Sequence, residues 1–595
     1  MRLGLRAALL AGAAVVVGCA WTAGASAVFL WGTSLLRYFP FEGHAWTWQF
    51  WGYLLNAPPH PLLTRWFQIG AAVPTAFLGL VAWRVGQLRG HRPVRPGKTT
   101  RGVSDNHGHA AWLPMRDALR LLQPAPTGEP SLVIGEATRV DQEPTAKVAF
   151  DPRNRRTWGG GGKAPLLVEP CIDGPTHSIM FAGSGGLKTS TAITRLLHWS
   201  GNAVVLDPSR EIGPMIREAR EGMGQSVIEL SLDGAGMNVL AGIDPKSPNA
   251  SRRLLSAVAS LCGEEPERGE NSVFSDAGRN LVTCLLAHIL WDDELPDALR
   301  TLAFFRELVT TPEADMKRLL GGIATRTRST TARLTAATLM GLVDETFSGA
   351  YFNATQFTSW LYDDAVVDML SGGSFRADDV VAKPTTVFVQ VPLDVLLTTP
   401  AVARVVLDAL AWAFIEADGD YHARTLMLVD EASKLGRMKS LEIVRDTGRK
   451  YGLTLHLLYL SEAELAEVWG KHGPARWFAN LSWRGYAAVG DRETAKGLSE
   501  DIGDFAVMAV SEGDNRGTSG RTLEAGSRST GTTSSTHEIK RRLILPSELT
   551  EARADELFVI RKGGQPIRCG QAPYFRRAEL VPLVRDNRFV RTAAE

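Results

Sequence analysis

The chain has 595 residues, too many for a single hydrophobic core, so about two to four domains are expected. Lys and Arg number 65 against 64 Asp and Glu, and the net charge of +1 excludes a global basic field; any nucleic-acid contact has to come from a local patch or from the inner surface of a ring. The five scattered cysteines, at 19, 171, 262, 284 and 569, form no CxxC pair, which excludes a disulfide framework and a zinc site and leaves Cys262 and Cys284 as small core residues.

Residues 7–36 carry no charged side chain, a run long enough to span a bilayer. A second uncharged run lies between Arg65 and Arg84, centred on residues 69–74. Between the two sits an aromatic segment with Trp46, Trp48, Phe50, Trp51 and Tyr53, the composition of a membrane interface. Arg2 and Arg6 precede the first run, and Arg84, Arg89, Arg92, Arg95, Lys98 and Arg101 follow the second. Positive charge at both outer ends predicts two transmembrane helices, both termini in the cytoplasm and the 37–65 loop outside. Ala25-Ser26-Ala27 resembles a signal-peptide cleavage site, but the apolar run continues past it and a second span follows.

Residues 85–175 begin as a Pro/Gly/Arg-rich linker and are weakly patterned thereafter; the glycine run at 156–163 reads as a flexible loop, since no strand-to-helix context surrounds it. From 178 onward short apolar runs recur at 178–182, 202–207, 385–392, 425–430, 452–460, 483–489 and 557–561, several of them separated by helix-like segments. This alternation predicts an α/β domain, a parallel sheet with helices on both faces.

The first run leads into Gly183, Ser184, Gly185, Gly186, Leu187, Lys188, Thr189 and Ser190, and then into a helix-like stretch. A strand, a glycine-rich turn and a helix start make a phosphate cradle for ATP. Backbone N–H groups face the phosphates, Lys188 adds a point charge, and Thr189 can hold Mg²⁺. Two positions depart from the usual spacing, with Leu187 where a Gly precedes the Lys and Ala182 at the first glycine. The run 204–206 ends in Asp207-Pro208, where Asp207 is either a partner of the metal site or the cap of the next helix.

The stretch from about 250 to 380 breaks the alternation. Asp276–Trp291 is predicted as an amphipathic helix with Ala277, Leu281, Leu285 and Ile289 on its core face; Arg300–Leu320 looks similar, and 322–360 has helical spacing in places. Together they read as an all-helical insertion. Downstream, Asp430 and Glu431 end an apolar strand, Asp430 suited to holding the metal and Glu431 to polarising the attacking water. On the following helix-like segment, Arg445, Arg449 and Lys450 form a solvated face or supply a cation to a neighbouring subunit's γ-phosphate; Arg449 is the candidate for the second role. Residues 511–537, dense in Gly, Ser and Thr, read as a mobile loop or linker. No HExxH pair and no Gly-x-Ser-x-Gly elbow supports another hydrolytic chemistry.

These motifs carry a resemblance. Residues 181–191 (FAGSGGLKTST), 205–211 (VLDPSRE), 428–437 (LVDEASKLGR), 448–452 (GRKYG) and 568–577 (RCGQAPYFRR) together resemble the TraG-type coupling proteins of bacterial conjugation and type IV secretion, in particular the rhizobial branch, whose phosphate loop tolerates a bulky residue before the Lys. The resemblance implies two N-terminal spans before a RecA-like P-loop ATPase domain with an all-helical insertion. The domains would be 1–90 (membrane), 91–250 and 381–595 (nucleotide-binding) and 251–380 (insertion). It further implies an inner-membrane homo-hexamer that recruits a relaxase bound to single-stranded DNA and delivers it to a type IV secretion channel, driven by ATP and Mg²⁺. In that family the strand after the Gly452 position usually ends in Gln-Ser, the Gln sensing nucleotide; Leu460 stands there in this chain, which implies altered coupling. The insertion's Lys317, Arg318, Arg326, Arg328 and Arg333 are the candidate DNA-facing patch. Two other readings are a docking adaptor that binds nucleotide but hydrolyses it weakly, and a coupling ATPase for protein effectors alone.

Overall fold

The computed structural model describes residues 2–33, 51, 55, 61–89, 101–102, 104, 106–124, 128–172, 175–264, 272–519 and 527–588. The chain divides into two compact units, residues 1–99 and 100–595.

The first unit contains helices α1 (Arg2–Thr33) and α2 (Pro61–Arg89). They run antiparallel: the Trp21 indole donates to the Thr75 hydroxyl at 3.0 Å, and the Phe29 and Phe67 rings meet edge-on at 6.1 Å. A Cβ at Gly70 would stand 2.9 Å from the Ala25 carbonyl, so a small residue there lets the two backbones close up. Among the described residues only one window, Val15–Gly32 of α1, is long and apolar enough to cross a membrane. Two were expected. The second run is helical, but Arg65, Gln68, Pro74 and Thr75 dilute its apolarity. The aromatic segment between the runs, Trp51 aside, and Arg92, Arg95 and Lys98 lie outside the described residues.

The second unit is built on an eleven-stranded sheet. Its strands are β1 (Ser131–Glu136), β2 (Leu166–Pro170), β3 (Ser178–Ala182), β4 (Asn202–Leu206), β5 (Ser226–Ser231), β6 (Thr385–Gln390), β7 (Thr425–Val429), β8 (Leu453–Tyr459) and β9 (Trp483–Ala487), with β12 (Glu556–Arg561) and β13 (Ile567–Gly570) from the C-terminal part. Their spatial order is β2-β1-β13-β12-β9-β3-β8-β7-β4-β6-β5. From β9 to β5 every pairing is parallel, and from β2 to β9 every pairing is antiparallel. The six apolar runs before 557 are thus parallel strands, whereas 557–561, expected in the parallel set, pairs antiparallel with β9 and β13. The rule that fails there is topological. Residues 556–570 form a hairpin, whose strands alternate direction without a crossover.

β3, β4, β6, β7 and β8 are buried along their whole lengths, as a sheet covered on both faces requires. One face carries α3 (Lys188–His198) and α4 (Ile212–Gly222); their residues Ile193, Leu196, Met215 and Ile216 share a core with Met180, Val205, Leu428 and Leu458. The other face carries α5 (Ala250–Cys262), α6 (Ala401–Glu416), α7 (Lys439–Thr447) and the helices in the 272–382 stretch, and these share one continuous core with Ile179, Val204 and Val429. Residues 272–291 form a helix that buries Ala277, Leu281, Leu285 and Ile289. The similar-looking stretch 300–320 is two helices, Leu302–Val309 and Glu313–Arg326, because Pro312 starts the second and cannot continue the first.

Of the expected 511–537 loop, residues 511–519 and 527–537 are instead strand: they belong to a two-stranded antiparallel ribbon, β10 (Asp504–Ser519) and β11 (Ser527–Arg542), paired from Asp504–Arg542 to Ser519–Ser527, while 520–526 lie outside the described residues. Low apolar content suggested a loop, but a ribbon satisfies its backbone by pairing alone, and β-branched Thr favours it. The 156–163 glycine run is likewise packed: a Cβ at Gly161 would overlap the Arg576 guanidinium, and the Gly162 N–H donates to Glu136 at 2.8 Å.

Where α5, α6 and α7 meet, a carboxylate is sealed in the core. Asp408 is buried and accepts from the Ser256 hydroxyl at 2.7 Å; burial pushes it up to about 6, partly offset by its hydroxyl partners and Arg253. Its folded value exceeds its unfolded one, so the folded state binds the extra proton, and stability falls as pH rises from about 4 to about 6. Asp408→Asn should therefore flatten the pH dependence of the urea midpoint over that window and make the variant the more stable protein at pH 8, by up to about 3 kcal/mol.

Candidate functional site

The parallel strands deliver their C-terminal ends to one edge, and the sequence-predicted residues other than Arg449 meet there. β3 runs into residues 183–187 and α3 begins at Lys188, so the unpaired N–H groups of its first turn open onto the glycine-rich turn. The Gly186 N–H donates to the Gly183 carbonyl at 2.9 Å, closing the turn. Ser184 and Gly185 are exposed, while Leu187, Lys188, Thr189 and Ser190 are half-buried. Leu187, in the place of the usual glycine, adopts the left-handed conformation with φ 61°. The backbone shape is kept, and the branched side chain bears the strain.

β8 lies between β3 and β7, and Asp430 and Glu431 follow β7. The Lys188 ammonium reaches the Glu431 carboxylate at 3.1 Å, joining residues 243 positions apart. Asp430 is 5% exposed; burial pushes its carboxyl up to about 7, the adjacent Glu431 and nearby Asp207 add to this, and Lys188 opposes it. A buried carboxyl under that load gains strongly from a cation. Glu431 itself sits at φ 51°.

Backbone strain is concentrated at this edge. The non-glycine residues with positive φ among those described are Leu187, Arg210, Asp418, Glu431 and Ala488, and four of the five follow β3, β4, β7 and β9 directly or within five residues. Such strain persists only where the surroundings over-determine it, and it clusters at functional sites.

Asp207, at the end of β4, acts as a cap. Its carboxylate oxygens accept from the Glu211 N–H at 3.1 Å and the Gly213 N–H at 2.9 Å, at the start of α4, and burial pushes its carboxyl up. Arg449 does not join Lys188. It is exposed in the turn Gly448–Tyr451 before β8, at the opposite edge of the sheet from the phosphate-loop turn. Leu460 follows β8 between the two halves of the site, its N–H donating to Glu464 at 3.0 Å.

Two contributors escaped the sequence reading. The Gln571 amide, buried after β13, donates to the Gly186 carbonyl at 3.1 Å and to the Ala554 carbonyl. The next residue accepts at its carbonyl from the Thr194 hydroxyl of α3 at 2.6 Å. The 568–577 motif signalled the segment, but nothing in one sequence shows that it lands on a loop almost four hundred residues earlier. Of the insertion's basic residues, Lys317 pairs with Asp344 at 2.7 Å, Arg318 with Asp315 and Arg328 with Asp293, so much of the expected patch is neutralised locally.

A glycine-rich turn between a parallel strand and a helix, with an acidic pair after the next strand but one, is the fold layout of the P-loop class. Residues 125–594 match the family described as Type IV secretory system Conjugative DNA transfer. The chain is 37% identical over 505 residues to the type IV secretion system-coupling protein VirD4 of Bartonella henselae, covering 83% of this chain and 77% of that protein. It is 34% identical over 533 residues to the conjugal transfer protein TraG of Agrobacterium fabrum, covering 88% and 79%. In fold it is similar to the plasmid coupling protein TrwB solved in complex with the non-hydrolysable ATP analogue ADPNP, with a TM-score of 0.50 and 14% identity over 68% of this chain and 87% of that one. The chain belongs to this family, the coupling proteins of type IV secretion and conjugative DNA transfer.

Leu187→Gly should relieve the left-handed strain and raise stability by about 1 kcal/mol in urea titration. An unchanged or lower midpoint would mean that packing of the Leu187 side chain outweighs its backbone cost.

Proposed function

We propose that the protein is an ATP-driven coupling motor of the bacterial inner membrane. It recruits a relaxase carrying single-stranded DNA and delivers it to a type IV secretion channel. The observation that carries the reading is the Lys188–Glu431 contact at 3.1 Å beside buried Asp430. In this reading the turn 183–190 binds phosphates through backbone N–H groups, and Lys188 moves from Glu431 onto the β/γ-phosphates. Thr189 and Asp430 would hold Mg²⁺, which would supply positive charge beside the phosphates. Glu431, released from Lys188, accepts a proton from the attacking water and orients it. Arg449 faces away from its own site, so its proposed role needs a homo-hexameric ring in which it approaches a neighbour's γ-phosphate. Residues 1–90 would anchor the ring with both termini in the cytoplasm, by two spans. The α1 window supports the first; the second rests on the charge pattern around α2.

Leu460, standing between the two halves of the site, favours a second reading, a docking adaptor that binds nucleotide and turns it over slowly. The paired insertion residues Lys317, Arg318 and Arg328 favour a third, coupling of protein effectors without DNA.

ATP hydrolysis measured with and without single-stranded DNA separates them. The motor reading expects DNA-stimulated turnover, its loss in Lys188→Ala with membrane insertion intact, and loss of transfer in Glu431→Gln. Normal transfer by Lys188→Ala would overturn it. Nucleotide binding without turnover, with Glu431→Gln transferring normally, would establish the adaptor, and turnover indifferent to DNA would favour the effector reading.

A further inference from the structure

A cleft of about 390 Å³ lies on the outer side of α3 and α4, between the 152–158 turn and the C-terminal segment. Its volume is that of a small-molecule site. Trp158, Tyr574 and Phe575 line it, with Arg153, Arg155 and Asp586 among the polar groups. The Trp158 and Phe575 rings stand 5.7 Å apart, Tyr574 meets Phe575 edge-on at 5.8 Å, and the Arg155 guanidinium lies over the Trp158 ring at 5.6 Å. Arg153 and Arg155 have no carboxylate partner among the described residues, whereas Arg585, also lining the cleft, is tied to Glu218 at 3.0 Å.

The aromatic wall is held from behind by buried ion pairs. Arg576 is bound to Asp555 at 2.8 Å and Arg577 to Glu136 at 3.1 Å, all four side chains nearly inaccessible. Breaking such pairs is costly, so the turn Tyr574–Arg576 is fixed before any ligand arrives. Both ends of the wall are moored to loops at the phosphate-loop edge of the sheet. Gln571 binds Gly186, and three residues of backbone, at most about 11 Å, separate it from Tyr574. At the other end the Asn587 amide donates to Glu211 at 3.1 Å, in the loop that follows β4.

We propose that this cleft receives the base and ribose of the nucleoside triphosphate whose phosphates occupy residues 183–190. The proposal rests on the phosphate-loop reading above. The aromatic rings supply stacking faces that tolerate any base, Arg155 adds a planar cation, and Asp586 accepts from sugar hydroxyls. An aromatic and basic cleft would serve equally for one base of single-stranded DNA. Its tether to Gly186 within a few residues is what favours the bound triphosphate.

The test compares equilibrium binding of ATP, inorganic tripolyphosphate and a single-stranded oligonucleotide to the full-length protein in detergent. Trp158→Ala and Tyr574→Ala should each weaken ATP about tenfold, the scale of one lost base stack, while tripolyphosphate changes less than about twofold and Tyr574→Phe restores ATP affinity. Irradiation with 8-azido-ATP should label residues 152–158 or 574–587. Equal loss of ATP and tripolyphosphate would overturn the proposal in favour of a purely structural wall. Unchanged ATP with weakened oligonucleotide would overturn it in favour of a DNA base. Retention of both ATP and tripolyphosphate by Lys188→Ala would overturn the phosphate-loop reading itself, and this proposal with it.

Discussion

The parallel register of β3, β8, β7 and β4 is the constraint on which the rest of the second unit depends. Four strands buried along their whole lengths tie their few polar side chains into internal hydrogen bonds, as Ser178 and His456 do at 2.8 Å, so groups free for chemistry begin where each one ends. Because the strands point the same way, those ends coincide. Lys188 comes from one, Asp430 and Glu431 from another, the cap Asp207 from a third, and the ion pair between Lys188 and Glu431 follows from topology before any side chain is chosen. The left-handed residues at the same edge are the cost of turning four chains sharply in one place.

How much of this was legible depended on range. A strand, a glycine-rich turn and a helix start are local, so residues 183–190 could be read directly, and the acidic pair after β7 could be matched to them by chemistry. Strand direction is not local. The run 557–561 looks like the others, and only its hairpin partner at 567–570 makes it antiparallel. β5, with a mixed burial pattern, and β1 and β2, in a weakly patterned stretch, carry apolar runs of only two or three residues, too short to stand out.

Polarity misled in one place and proline in another. The Gly-, Ser- and Thr-rich 511–537 stretch has no core-facing pattern, yet its residues 511–519 and 527–537 pair within β10 and β11. Thr311-Pro312 splits what periodicity alone joined into one helix. The basic insertion residues were visible as charges, but the acids that pair with Lys317 and Arg328 lie 27 and 35 positions away, beyond the reach of a local reading. Asp207 was open between two roles until its two backbone donors were seen.

The contact between Gln571 and Gly186 spans 385 positions. It gives the site an order of assembly. A ribosome making this chain releases the phosphate-loop turn early, beside β4, and produces its last structural support only after β12 and β13 have been translated. Through most of synthesis the growing chain carries its N-terminal apolar helix and an unsupported turn. Completion of that turn's packing thereby waits until residue 571 has been made.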